Sequence, residues 1–344
     1  MGNIQFKDRA AVQIENEHIR LTVMKEGGHI AEILHKATGV NPLWIPPWKS
    51  IEPSTYDPDQ HPEYGLNAES KLLAGIMGHN LCLDVFGPPS AEEVEAGMTV
   101  HGEASVARYE FETGDAHINA HATLPLSQLG VSRSIRLNGD GSSIDITESV
   151  ENLTGLDRPI AWTQHVTLGP PFLVKGVTQF RAPGTKSKVY DAEFGDTFKQ
   201  GAEFEWPMAP RVDGSKQDLR VYTGRASSSG YTTHLMDPHR DDAFFLAFSP
   251  QTKVLFGYKW PRKDFPWLGL WEENQARMQT PWNGKTITQG FEFGASPMPE
   301  ARRKMIERGS LFGVPGYRWI PAKGRLSVQY SAFITTADAI PEEI

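Results

Sequence analysis

Residues 108–150 read RYEFETGDAHINAHATLPLSQLGVSRSIRLNGDGSSIDITESV. Four runs in this stretch, 108–112, 117–124, 131–137 and 144–150, alternate apolar and polar side chains. A period of two sends every second side chain to one face, which is the pattern of a half-buried strand. Thr113-Gly114-Asp115 and Asn138-Gly139-Asp140-Gly141 separate runs with residues that favour tight turns, so the stretch predicts successive antiparallel hairpins. His117 and His121 share strand parity but have no metal-like neighbours in sequence, and read as surface or packing histidines.

The same grammar extends in both directions. Toward the N-terminus, 12–15 and 19–23 alternate around Asn16-Glu17, Gly27-Gly28 breaks the chain, and 29–34 resumes, giving a meander. Toward the C-terminus, 217–223, 231–235, 243–248, 253–260, 267–274, 288–294, 325–330 and 332–335 read as further strands. Residues 45–81 differ. They are rich in proline and read as a long irregular loop or covering flap, with Trp48, Tyr56, His61 and Tyr64 as candidates for a pocket wall. Ser90, followed three residues on by Glu93, has the spacing of a capping box for a short helix. The clearest helix is 299–308, closed by Gly309. No repeat of 20–50 residues is visible, so a propeller or solenoid is not expected. The expectation is an all-β protein, a large antiparallel β-sandwich with few short helices, formed by residues 1–344 as a single domain.

Composition narrows the function. Thirty-two Gly and 25 Pro without low-complexity blocks fit a chain of many turns. A net charge of −8 argues against nucleic acid and anionic membranes as partners. The single cysteine, Cys82, excludes an intrachain disulfide framework and a multi-cysteine zinc site. The N-terminal residues carry no apolar run like that of a signal peptide, and Phe6 stands where a myristoylation signal has Ser or Thr. No apolar run approaches the length of a membrane span. A cytoplasmic location is expected.

The chemistry has to come from histidines and carboxylates at strand ends. Common catalytic signatures are absent: there is no Walker loop, dinucleotide fingerprint, Gly-x-Ser-x-Gly elbow or His-Glu-x-x-His. Residues 151–173 place His165 where the run Ile160-Ala161-Trp162-Thr163 gives way to Gly169-Pro170-Pro171. A histidine there has a stiff support and an open surface, and its ordinary pKa lies near neutrality. His101 with Glu103, Asp237 with His239, and Glu272 with Glu273 complete the set.

These residues, in this order, resemble the aldose 1-epimerase (galactose mutarotase-like) proteins. The opening from Asn16 through Gly28 to Leu43-Trp44 looks like their strand–turn–strand–Gly-Gly meander. His101-Gly102-Glu103-Ala104 looks like their His-Gly segment. Glu148 through Asn152, followed by His165, looks like their Glu-x-Val-x-Asn … His segment, and Leu270-Trp271-Glu272 looks like the strand that carries their catalytic glutamate. The resemblance spans most of the chain and implies a β-supersandwich with a sugar site on its concave face. It implies Glu272 as general base on the anomeric hydroxyl and His165 as general acid toward the ring oxygen. His101, with Glu103 in the same segment, would bind the sugar. No cofactor is implied, because an imidazole and a carboxylate can move both protons near neutral pH.

Arg277 and Trp282 are expected substrate contacts, Trp48 a wall residue, and Asp237 the counterpart of the family's assisting aspartate. Adjacent strand residues face opposite sides, so only one of Glu272 and Glu273 can point at the sugar; Glu272 is preferred from the register of the residues before it. Two other readings stay open. One is a carbohydrate-binding protein without catalysis. The other is a metal-dependent isomerase or hydrolase that uses His101, Glu103, His165 and a carboxylate as ligands.

Overall fold

The computed structural model describes residues 2–139 and 141–344; Met1, and Asp140 in the turn read over 138–141, lie outside the described residues. Two large antiparallel sheets, of twelve and eight strands, make the β-supersandwich. The alternating stretch builds one half of the smaller sheet. His117–Leu124, Leu129–Leu137 and Ser143–Asn152 lie side by side, with Ile118 opposite Ile135 and Ile135 opposite Ile146. Ile118, Ala120, Ala122 and Leu124 are buried, whereas Asn119, His121 and Thr123 between them are exposed.

The larger sheet has Gly2–Phe6 at its edge, followed by the expected meander, Arg9–Glu15, Ile19–Met24 and Ile30–His35. Gly27 and Gly28 turn the chain with φ of 79° and 60°, and a Cβ at Gly27 would sit 2.5 Å from the Ser105 carbonyl oxygen. The sheet continues in space through His79–Asp84, Arg158–Leu168, Ile287–Gly294, Trp267–Asn274, Ser228–Met236 and Gly184–Val189. These central strands do not alternate in exposure. Every residue from Ile160 to Leu168 and from Trp267 to Asn274 is buried. One face packs on the smaller sheet, and the other lies under helices and loops.

Between the sheets, Phe245 stacks on Phe291 at 4.3 Å and Trp260 on Phe293 at 4.2 Å. Fully burying side chains of this kind stabilises a fold by about 1.5–3 kcal/mol each. A polar network is buried in the same layer. Arg133 Nη2 pairs with Glu148 Oε2 at 2.6 Å, and Glu148 Oε1 accepts from Trp162 Nε1 and from Gln164 Nε2. Gln164 Oε1 is in turn shared with His79 and the Tyr330 hydroxyl.

Three α-helices occur among the described residues: α1 (Ser70–Gly75), α2 (Ala91–Glu95) and α3 (Arg302–Arg308). The capping box is present on α2: Ser90 Oγ accepts from the Glu93 N–H, and Glu93 Oε2 accepts from the Ser90 N–H. α3 begins later than the sequence suggested, because Glu300 is drawn into a β-bridge with Phe86. Residues 45–81 are not one unbroken loop; they contain α1 and the 3-10 turns Pro53–Thr55 and Pro62–Tyr64. No helix among the described residues is long and apolar enough to cross a membrane.

Candidate active site

A cleft of about 400 Å³ opens on the face of the larger sheet turned away from the smaller one. Its floor comes from the central strands. His165 and Glu292 stand directly opposite each other on neighbouring antiparallel strands, so both side chains leave the sheet on the same side. His165 Nε2 lies 3.0 Å from Glu292 Oε1, and both residues are almost wholly buried. Gly269 is the cross-strand partner of Glu292, and Gly290 that of Trp271. A Cβ at Gly290 would lie 3.1 Å from both Glu292 Oε1 and the Trp271 ring, so the floor side chains rest on bare backbone.

His101 reaches the floor from the loop after α2. Its ring meets the His165 ring edge-on at 5.2 Å and stacks against Phe86. Its backbone is in the left-handed region, φ 67°, an uncommon conformation for a residue other than glycine. His101 Nδ1 accepts from the Gly87 N–H at 3.2 Å. Burial first, then the charges available at His165 and Arg277, hold His101 well below the ordinary histidine pKa. The ring is therefore neutral at pH 7, with its proton on Nε2.

The walls combine α1 with loops. Leu72, Leu73 and Ile76 form one side, and Tyr190 and Phe194 another. Arg277 crosses the mouth, with Nη1 3.3 Å from Glu69 and Nε 3.6 Å from Glu273. Glu273 Oε1 also accepts from the N–H groups of Ala276 and Arg277, which fixes the turn that presents the guanidinium.

The structure brings together four of the eight residues expected at a site: His165, His101, Arg277 and Trp282. Trp282 lines the cleft in a different role from that of a sugar platform. Arg277 lies over its ring at 4.7 Å, and Trp44 stacks parallel to it at 6.1 Å, so it is packed as wall structure. Trp48 lies behind that wall, with its ring against Trp282 and its Nε1 donating to the Leu73 carbonyl.

Three expectations are corrected. Glu272 does not face the cleft. Trp267 and Trp271 point toward the cleft side, so Leu268, Leu270 and Glu272 point between the sheets. There Glu272 Oε2 accepts from Gln217, and Oε1 has no partner among the described residues. Glu103 turns away to accept from the Ser127 N–H. Asp237 sits past the end of its strand and accepts from the His239 N–H. With Glu103 elsewhere, the ligand set of the metal-dependent reading is not assembled. Among the described residues no group of three or more His, Cys, Asp or Glu side chains is arranged to hold a metal ion.

Glu292, Trp271, Tyr190 and Glu69 were not singled out from the sequence. Glu292 did carry a signal: in Phe291-Glu292-Phe293 a lone carboxylate interrupts the apolar end of a strand, and a buried charge needs a reason.

No family model matches the chain, and no curated protein matches it by sequence. Solved structures do match. A candidate aldose 1-epimerase from Klebsiella pneumoniae superposes with a TM-score of 0.70 at 13% identity, over 96% of this chain and 80% of that one. A candidate aldose 1-epimerase from Escherichia coli K12 gives 0.63 at 11% identity, over 95% and 99%. A galactose mutarotase-like protein from Clostridium acetobutylicum gives 0.62 at 13% identity, over 97% and 98%. At these identities the likeness is one of architecture, and the chain has the galactose mutarotase-like fold.

Proposed function

We propose that this protein is a cofactor-independent aldose mutarotase whose acid–base pair is His165 and Glu292. The observation that carries the reading is that pair, an imidazole and a carboxylate 3.0 Å apart on the floor of a sugar-sized cleft. Opening a cyclic hemiacetal needs one proton removed from the anomeric hydroxyl and one delivered to the ring oxygen. Glu292 takes the first and protonated His165 delivers the second, so that the C1–ring-oxygen bond breaks as the C1 carbonyl forms. Rotation about C1–C2 and closure on the other carbonyl face give the other anomer. The same two groups exchange roles in closure, so each turnover restores them. The His101 Nε2–H is a donor for a sugar hydroxyl, and Arg277 holds the mouth.

The test is anomeric exchange by NMR on freshly dissolved aldoses. Wild-type protein is expected to accelerate exchange, with His165→Asn and Glu292→Gln each losing about 10²–10⁴-fold, the usual share of one general acid or base. Glu272→Gln is expected to exchange at the wild-type rate. Retained activity in Glu292→Gln would sink the assignment. Binding of sugars without acceleration would make the protein a carbohydrate-binding protein of this fold instead.

A further inference from the structure

Behind His165, on the side away from Glu292, lies Thr167, which carries no role in the reaction as described above. We propose that Thr167 is a positioning residue whose hydroxyl sets, and then follows, the tautomer of His165; the proposal rests on the His165–Glu292 reading. Thr167 Oγ1 is 3.0 Å from His165 Nδ1, and both side chains are buried. The Thr167 backbone is pinned on both sides, its N–H to the Gly78 carbonyl and its carbonyl to the Trp44 N–H. Among the described residues Oγ1 has no other hydrogen-bond partner, so His165 is what the hydroxyl serves.

The proton positions follow from the two neighbours. A bare Nε2 lone pair 3.0 Å from a carboxylate oxygen would be repelled, so Nε2 carries a proton in the resting ring. Nδ1 of the neutral ring is then an acceptor, and Thr167 donates to it. Uptake of one proton from solvent charges the ring for the reaction; Nδ1 then also bears a proton, and Thr167 must accept. Delivery of the Nε2 proton to the sugar ring oxygen leaves the neutral ring with its proton on Nδ1, still facing an acceptor. A hydroxyl can satisfy all three states by rotating about one bond. A carboxylate or a backbone carbonyl in its place would hold Nδ1–H only, and an aliphatic group would strand it. Residues i and i+2 of a strand share a face, which is why Thr167 can reach the ring at no cost in backbone geometry.

Thr167→Val keeps the shape and removes the hydroxyl; Thr167→Ser keeps the hydroxyl. With ¹⁵N-histidine labelling in mildly alkaline buffer, wild type should show His165 as the Nε2–H tautomer with an accepting Nδ1. Thr167→Val should move the Nδ1 resonance and mix the tautomers, and Thr167→Ser should restore the wild-type pattern. In the mutarotation assay Thr167→Val should lower kcat by about ten- to a hundredfold, as expected for losing a hydrogen bond to a charged group, with KM within about twofold and recovery in Thr167→Ser. Unchanged nitrogen shifts in Thr167→Val would overturn the proposal, as would changed shifts with an unchanged kcat. If wild type accelerates no sugar, the acid–base reading fails by itself; the nitrogen shifts then still decide whether Thr167 sets the tautomer.

Discussion

At the scale of single residues, the site turns on which way three consecutive side chains point. Trp271 touches the His165 ring, so Glu272 must face the other side and Glu273 must return. Glu272 then has a carboxylate between the sheets with one oxygen satisfied by Gln217 and the other unpartnered. Burial raises its pKa, and the nearby Ser228 hydroxyl, the Gln217 amide and the Arg225 charge offset this only in part. A raised folded-state pKa means that the ionised group costs stability above that pKa. Glu272→Gln should therefore stabilise the protein at neutral pH by about 1 kcal/mol, the scale of an imperfectly paired buried polar group. The gain should fade as pH falls through the folded-state pKa, where the wild-type carboxyl is already neutral. Urea unfolding of both proteins across pH measures it, and a destabilised variant at neutral pH would count against this account. The choice between Glu272 and Glu273 was not legible in sequence, because strand 267–274 is buried on both faces and offers no alternation to count.

At the scale of elements, what could be read in advance depends on how each strand is covered. Strands 117–124, 129–137 and 143–152 expose one face, and their side chains state it outright. The floor strands are covered on both faces and read only as apolar runs. His165 was visible because a Gly-Pro-Pro turn follows it. That Glu292 is its partner was not, because pairing between strands so far apart in the chain is a property of topology rather than of local pattern. The two kinds of strand meet at the buried network, where Arg133 from an alternating strand pairs with Glu148 and reaches the Gly28 carbonyl in a turn between two strands of the other sheet. Glu148 also holds Gln164, the strand neighbour of His165. Removing one member of such a pair leaves an uncompensated buried charge, so Arg133→Met should cost about 3–5 kcal/mol. Arg133→Met with Glu148→Gln should recover much of that loss, since the stranded carboxylate goes too. A double variant no more stable than the single one would show that packing, rather than charge, dominates there.

Across the whole molecule, the larger sheet buries histidines as neutral groups, and this makes stability depend on pH in a predictable direction. His234 lies fully buried between Ser187 Oγ and Thr232 Oγ1, and burial pushes its pKa down to about 3. His29, in the turn just before Ile30–His35, a strand five places away in the same sheet, is likewise held at about 3, chiefly by burial with Arg9 nearby. An unfolded histidine takes its proton near pH 6.5, so between about 6.5 and 3 the unfolded chain binds protons that the folded protein refuses. Stability from each group is therefore complete above that window and falls by about 1.4 kcal/mol per pH unit within it. Other groups titrate in the same range, including the carboxyls of Glu272 and Asp84, whose raised values act in the opposite sense. Differences between variants cancel them. The stability of wild type minus that of His234→Gln should be constant above neutrality and decline by about one such increment per pH unit below 6.5. Adding His29→Gln should double the slope of that difference, because sites this far apart contribute independently. Parallel stability curves for wild type and His234→Gln across the window would mean that His234 protonates without unfolding the protein, and that the larger sheet opens to water at that point.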